Sequence, residues 1–271
     1  QMTIEAKIIA DSISEEGNRL QTMQLYYPRV IHSQVLTHRA FSRNASSSRA
    51  IPTSKLISLA TDDMYEPVRY GKNQGGMQAS DECLVEADLD EARSIWYDMA
   101  DYCAQGVKRL NELKLHKQWA NRPLEWFSHI SVVVSATEWR NFYDLRCHAS
   151  PQPEIDELAY AMFHASRAST PRYVPNGGWH LPYVSEDEKH NYGGDTLIKM
   201  SAARCARVSY LTHEGKTPNV DEDVALYNRL VNANPPHMSP VEHQAMAIPS
   251  SKFFANFRGW KQHRWDLERG Q

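Results

Sequence analysis

Residues 86–115 carry Leu89, Ala92, Ile95, Trp96, Met99, Cys103, Val107 and Leu110 at helical spacing, which predicts one long amphipathic helix. A helix of that length presents an apolar stripe that other parts of the chain must cover. Shorter signals surround it. Residues 4–9 alternate apolar and polar side chains as a half-buried strand does, and residues 30–36 read as a second strand running into the segment that follows. Residues 54–59 show a short helical pattern, while Gly71-Lys72-Asn73-Gln74-Gly75-Gly76 has no period and lacks the spacing of a phosphate loop. Ser131-Val132-Val133-Val134-Ser135 is a buried segment that periodicity leaves open between strand and helix. Residues 154–165 begin a helix after Pro153, and residues 221–232 form another with an acidic first turn. Residues 168–199 are rich in Pro, Gly, Tyr and His without a period and read as an ordered insertion that covers something. The expectation is a mixed α/β (α+β) chain folding as one domain over residues 1–271.

Charge narrows the function. A formal charge of −3 with interspersed signs leaves no polybasic stripe, so duplex nucleic acid is not an expected partner. No apolar run approaches the roughly 20 residues that span a bilayer, and Gln1-Met2-Thr3-Ile4 lacks a signal-peptide profile, so a cytoplasmic chain is expected. Cys83, Cys103, Cys147 and Cys205 show no Cys-x-x-Cys spacing, which points to free thiols and no structural metal.

Residues 37–49, Thr-His-Arg-Ala-Phe-Ser-Arg-Asn-Ala-Ser-Ser-Ser-Arg, concentrate guanidinium groups, an imidazole and hydroxyls. That mixture suits a phosphorylated ligand, because Arg forms paired, charge-assisted bonds to phosphate and Ser adds neutral donors. A solvated Ser-rich loop has the same composition, and Asn44-Ala45-Ser46 fits a glycosylation sequon that matters only in a secreted chain. Asn141-Phe142-Tyr143-Asp144-Leu145-Arg146, followed by Gln152-Pro153-Glu154-Ile155, sets an Arg among apolar neighbours, where burial demands an anion or carbonyl partner. Asp144 or Glu154 would serve equally well. Ser239-Pro240-Val241-Glu242 is also an ordinary helix start, and His263-Arg264 is equally a cationic helix end.

Together these segments resemble the flavin-dependent thymidylate synthases. The family's signature, Arg-His-Arg-x-x-Ser-x-Asn-Glu-x-Ser-x-Arg, is matched at His38, Arg39, Ser42, Asn44, Ser47 and Arg49, while Thr37 replaces its first Arg and Ala45 its Glu. Asn141 through Arg146 with Gln152 and Glu154 is similar to the family's Asn-Phe-x-x-x-Arg … Gln-x-Glu-Ile. Ser135, Thr137 and Ser150 stand where the family commonly has Asn, Arg and His. Lys117-Gln118-Trp119-Ala120-Asn121-Arg122 resembles the segment giving a further phosphate Arg, here Arg122. Ala206-Arg207-Val208-Ser209-Tyr210 and His237-Met238-Ser239-Pro240-Val241-Glu242-His243 resemble a block that in most of the family precedes the signature. Here it follows everything else, as though the chain were circularly permuted, and Phe253 through Trp260 leads to a second His-Arg pair, His263-Arg264.

The resemblance implies a flavin-dependent thymidylate synthase-like fold with a mixed sheet, assembled as a homotetramer with shared active sites. It implies FAD, NADPH and methylenetetrahydrofolate acting on a pyrimidine deoxynucleoside monophosphate. Gln34, Ser47, Ser48, Arg49, Arg122 and Arg146 fall on the substrate side, with Ser47 and Arg146 closest to catalysis. His38, Arg39, Asn44, Asn141, His237, Ser239, Glu242, His263 and Arg264 fall on the flavin side. Cys147 follows the base-binding Arg and is read as packing instead of a nucleophile. The departures mark a divergent, phage-like branch, which would place the protein in a host cytoplasm. dUMP to dTMP is the expected reaction, with a dCMP or dUMP hydroxymethylase as one alternative and an inactive nucleotide-binding module as another.

Overall fold

The computed structural model describes residues 3–148, 152–208 and 219–269; Ser150, Ser209 and Tyr210 lie outside these. The N-terminal half forms β1 (Glu5–Ser14), β2 (Arg19–Pro28), α1 (His32–Leu36), β3 (Ser42–Ala45), α2 (Thr53–Thr61), α3 (Glu86–Glu112), α4 (Lys117–Ala120), β4 (His129–Ala136) and α5 (Arg140–Arg146). After it come α6 (Pro153–Ala168), β5 (Arg172–Val174), β6 (Trp179–His180), α7 (Glu186–Asn191), α8 (Gly194–Val208) and α9 (Val220–Val231). Four short elements close the chain's strand set, β7 (Ala245–Ala247), β8 (Phe253–Phe254), β9 (Phe257–Arg258) and β10 (Trp260–Gln262), and α10 (His263–Arg269) ends it. A five-stranded sheet runs β3-β4-β2-β1-β5, antiparallel except where β5 joins β1 in parallel, so it is mixed. A second sheet runs β10-β7-β6.

The open question at residues 131–135 resolves as strand. Every residue of β4 is buried, because the sheet is covered on both faces there. Residues 30–36 are helical instead of extended. Pro28 ends the β2 ladder, and Ile31 and Val35, four apart, bury one helical face. The long helix stands at Glu86–Glu112, but its buried face is Ala100, Ala104 and Val107 with Trp96 and Cys103 beside them, packed on α2 and residues 122–127. Ile95 and Met99, read above as part of that stripe, are 51% and 45% exposed. Small residues let the neighbouring elements approach on one side only. The segment 168–199 is structured by strand pairing, since β5 edges the main sheet and β6 pairs with β7, and its last residues already belong to α8.

The two faces of the main sheet differ in kind. Met23, Leu25, Tyr27, Ile130, Val132 and Val134 pack on Phe142, Ile155, Leu158 and Met162 of α5 and α6. On the other face a buried polar seam crosses the strands: Ser12 Oγ meets His180 Nδ1 at 2.8 Å and His180 Nε2 meets Thr22 Oγ1 at 2.8 Å. Thr22 Oγ1 then meets Ser135 Oγ at 2.6 Å, and Ser135 Oγ meets His243 Nδ1 at 2.8 Å. This seam fastens the C-terminal segments to the sheet, supported by Arg204, which is 3% exposed and bonds Asp223 and Glu188 to hold α7, α8 and α9 together.

Candidate active site

β3 pairs with β4 in antiparallel register, Asn44 opposite Val133 and Ala45 opposite Val132. The extended path continues one step further, with Ser46 N donating to Ser131 O at 2.8 Å. The chain then leaves the strand and bends over residues 48–50, where Ala50 N donates to Ser47 O at 2.9 Å. The Ser-rich run divides in two across that bend. Ser46 turns inward and accepts from Ser131 N at 3.1 Å; Ser48, also buried, donates its hydroxyl to the Glu125 carboxylate. Ser47 and Arg49 turn outward, into a cleft of about 390 Å³. Asn121 Nδ2 clamps the bend behind them, donating to Ser48 O at 2.8 Å and to Ile51 O at 3.1 Å.

Distant segments complete the cleft. His237 and Ser239 line it from the C-terminal part, and Ala206 and Leu230 floor it from α8 and α9. Asn44 joins these pieces, since its Nδ2 donates to Cys205 O at 2.7 Å and its Oδ1 accepts from Ser239 Oγ at 3.2 Å. Ala45 also lines the cleft, so the missing Glu leaves a small apolar wall there. Gln118 contributes from α4, whereas Arg122, the residue of that segment expected to bind, pairs with Glu125 at 2.9 Å and is not among the lining residues. An amide offered no signal against a guanidinium in the same segment.

A second group gathers elsewhere. His38 is buried against Phe142 with ring centroids 4.8 Å apart, and its Nε2 accepts from Arg146 Nε at 3.2 Å. Burial holds the His38 pKa below its ordinary value, and the cationic Arg146 and Arg43 push the same way, so the ring is the neutral acceptor that this bond requires. Arg43 Nη1 donates to His38 O at 2.7 Å. Gln34 Nε2 donates to Gln152 Oε1 at 2.7 Å. Arg39 and Asn141 are exposed. None of Gln34, His38, Arg39, Asn141 and Arg146 lines the cleft.

The remaining candidates are held in pairs. Glu242 accepts from Arg264, which also meets Glu268 at 2.7 Å, and Arg43 adds positive charge near Glu242. His263 Nε2 meets Tyr227 OH at 2.6 Å and stacks on its ring. The two His-Arg pairs thus sit in different surroundings, His38-Arg39 after α1 and His263-Arg264 opening α10. Cys147 is a free thiol whose pKa burial raises, with Asp156 adding to the effect, so its thiolate is disfavoured. Among the described residues no three His, Cys, Asp or Glu side chains converge as metal ligands, and no helix is long and apolar enough to cross a membrane.

The family model for thymidylate synthase complementing protein matches residues 20–172, more than half of the chain. A UMP/dUMP methylase, PolB from Streptomyces cacaoi, solved with 5-Br UMP, superposes with a TM-score of 0.50 at 14% identity, over 61% of this chain and 89% of its own. The same enzyme with 5-Br dUMP gives 0.49 at 15% identity, over 61% and 90%. At that identity the likeness concerns the fold. No curated protein sequence matches the chain.

Proposed function

The chain belongs to the thymidylate synthase complementing protein family, the flavin-dependent thymidylate synthases, and on that premise we propose that it methylates C5 of dUMP with a one-carbon unit from methylenetetrahydrofolate. The observation that carries this reading is the cleft in which Ser47, Arg49, His237 and Ser239, drawn from two distant parts of the sequence, face one space. Arg49 and Ser47 bind the nucleotide phosphate there, with Gln118 as a neutral donor beside them. Arg146 stabilises negative charge that develops on the base as C5 becomes nucleophilic, an electrostatic role needing no proton transfer. His38, fixed as a neutral acceptor, orients the Arg146 guanidinium.

A bound flavin would supply the hydride that completes the methyl group, with NADPH as the source of its electrons. The donor set suits it in chemistry, because His38, Asn141, His237 and Ser239 carry side chains that donate or accept hydrogen bonds and Arg39 carries a cation, whereas the Asn44 amide and the Arg264 guanidinium are already engaged within the chain. In one chain these groups occupy separate places, with Asn44, His237 and Ser239 at the cleft and His38 and Arg39 away from it. That separation supports an assembly in which Gln34, His38 and Arg146 of one copy face Ser47 and Arg49 of another, a homotetramer with shared sites.

Ala45 on the cleft wall supports a second reading. A carboxylate missing at that wall alters what the base meets, which favours a hydroxymethyl product or dCMP as substrate. Incubating the enzyme with dUMP or dCMP, methylenetetrahydrofolate, FAD and NADPH and weighing the nucleotide decides between them. dUMP heavier by one CH2 is expected; a gain of CH2O, or reaction of dCMP alone, establishes the second reading. An unchanged nucleotide with a flavin-loaded enzyme overturns both.

A further inference from the structure

A second pocket, of about 320 Å³, shares no residue with the cleft. It lies between the start of α6 and the loop that crosses it, and Glu154 forms part of its wall. Glu154 is 2% exposed. Its Oε1 accepts twice, from Tyr65 OH at 3.0 Å and from Val68 N at 3.0 Å. Its Oε2 accepts from no described residue, and it is not among the sealed, unpartnered atoms. One oxygen is therefore anchored and the other is left open at a pocket wall.

The charge around Glu154 is unbalanced. Both donors are neutral, and among the described residues no cation pairs with it. Arg69 also lines the pocket and pairs there with the exposed Asp81 at 3.4 Å. The positive end of α6 offsets part of the charge, since Glu154 lies in its first turn. Asp156 sits in the same first turn and adds a second carboxylate there. A buried carboxylate with a free oxygen and no counter-charge is costly, and a cationic donor entering the pocket relieves that cost.

The shape of the pocket limits what that donor is. Pro67, Met77, Ala79 and Pro153 give apolar walls around the polar end, and Gln152 Oε1, already holding Gln34, adds acceptor character at the rim. We propose that this pocket is a second binding site, for a small flat organic cation whose amidinium or protonated amine donates to Glu154 Oε2 while its apolar body lies between Pro67 and Pro153. The site meets the substrate set only at its rim, where Gln152 holds Gln34. It does not use Ser47, Arg49 or His237.

Benzamidine has this chemistry and serves as the probe, titrated calorimetrically into the full-length protein. Saturable binding is expected. Glu154→Gln keeps a carbonyl for Tyr65 and Val68 but sets an NH2 against the incoming donor, so affinity falls by about tenfold or more. dUMP binding at the cleft is unchanged in that variant. Ala79→Trp fills the pocket with Glu154 intact and abolishes benzamidine binding, which decides the matter if Glu154→Gln fails to fold. Absence of saturable binding to the wild type, or equal affinity in a folded variant, overturns the proposal.

Discussion

Acidification tests the buried seam most severely. His180 and His243 are fully buried, each bonded to a hydroxyl, and burial pushes both pKa values down to about 3 from an ordinary 6.5. In the unfolded chain both rings take up protons as pH falls through 6.5; in the folded chain they stay neutral until far lower. Their contribution is therefore complete above the unfolded pKa and is lost progressively between 6.5 and about 3. At pH 5 each ring has forfeited 1.5 pH units of linkage, about 2 kcal/mol, and the pair about 4 kcal/mol. That is a large share of the roughly 5–15 kcal/mol that holds a domain together. His32, lowered to about 4 by burial and then by Arg29 and Arg43, acts in the same direction. Urea unfolding across this range should show stability falling with a slope near two protons or more, and His243→Asn should remove one of them. Unchanged stability between neutral pH and pH 5 would refute the buried, neutral seam.

Ser47→Ala and Ser48→Ala should separate ligand binding from folding. The first raises KM for the nucleotide about tenfold with unaltered urea stability; the second costs about 1 kcal/mol of stability by removing a buried hydroxyl's bond to Glu125, which keeps Arg122, and leaves KM alone. Arg204→Met leaves Asp223 and Glu188 short of a buried cation, so a loss of about 3–5 kcal/mol is expected in thermal or urea unfolding. Cys147→Ala should hold turnover within a few-fold, and its complete loss with nucleotide and FAD binding intact would require a thiol nucleophile.

What the sequence discloses and what it hides follow from how local each signal is. The long helix was legible because it repeats a period over many turns, although Ile95 and Met99 obey the period and still face outward. Residues 30–36 read as extended because short apolar runs carry no reliable period; Pro28 and the Ile31–Val35 pair decide the matter. Ser47 and Arg49 were identifiable from residue chemistry joined to the family resemblance, but the bend that turns Ser48 inward is held by Asn121 and Glu125, more than seventy residues away. The convergence of Asn44 with Ser239 and Cys205 crosses well over a hundred residues. The His180–Thr22–Ser135–His243 seam left no trace, since Ser, Thr and His are ordinary surface residues until tertiary pairing satisfies them.

Phosphate recognition at Ser47 and Arg49 is what makes the cleft a pyrimidine nucleotide site in the proposed reaction. The direct measurement is the dissociation constant of dUMP, compared with deoxyuridine, for the wild type and Arg49→Ala. Loss of one charge-assisted, bidentate partner should weaken dUMP by about 1.5–3 kcal/mol, on the order of tenfold to a hundredfold, and leave deoxyuridine nearly unaffected. Equal dUMP affinity in the two proteins would contradict the account.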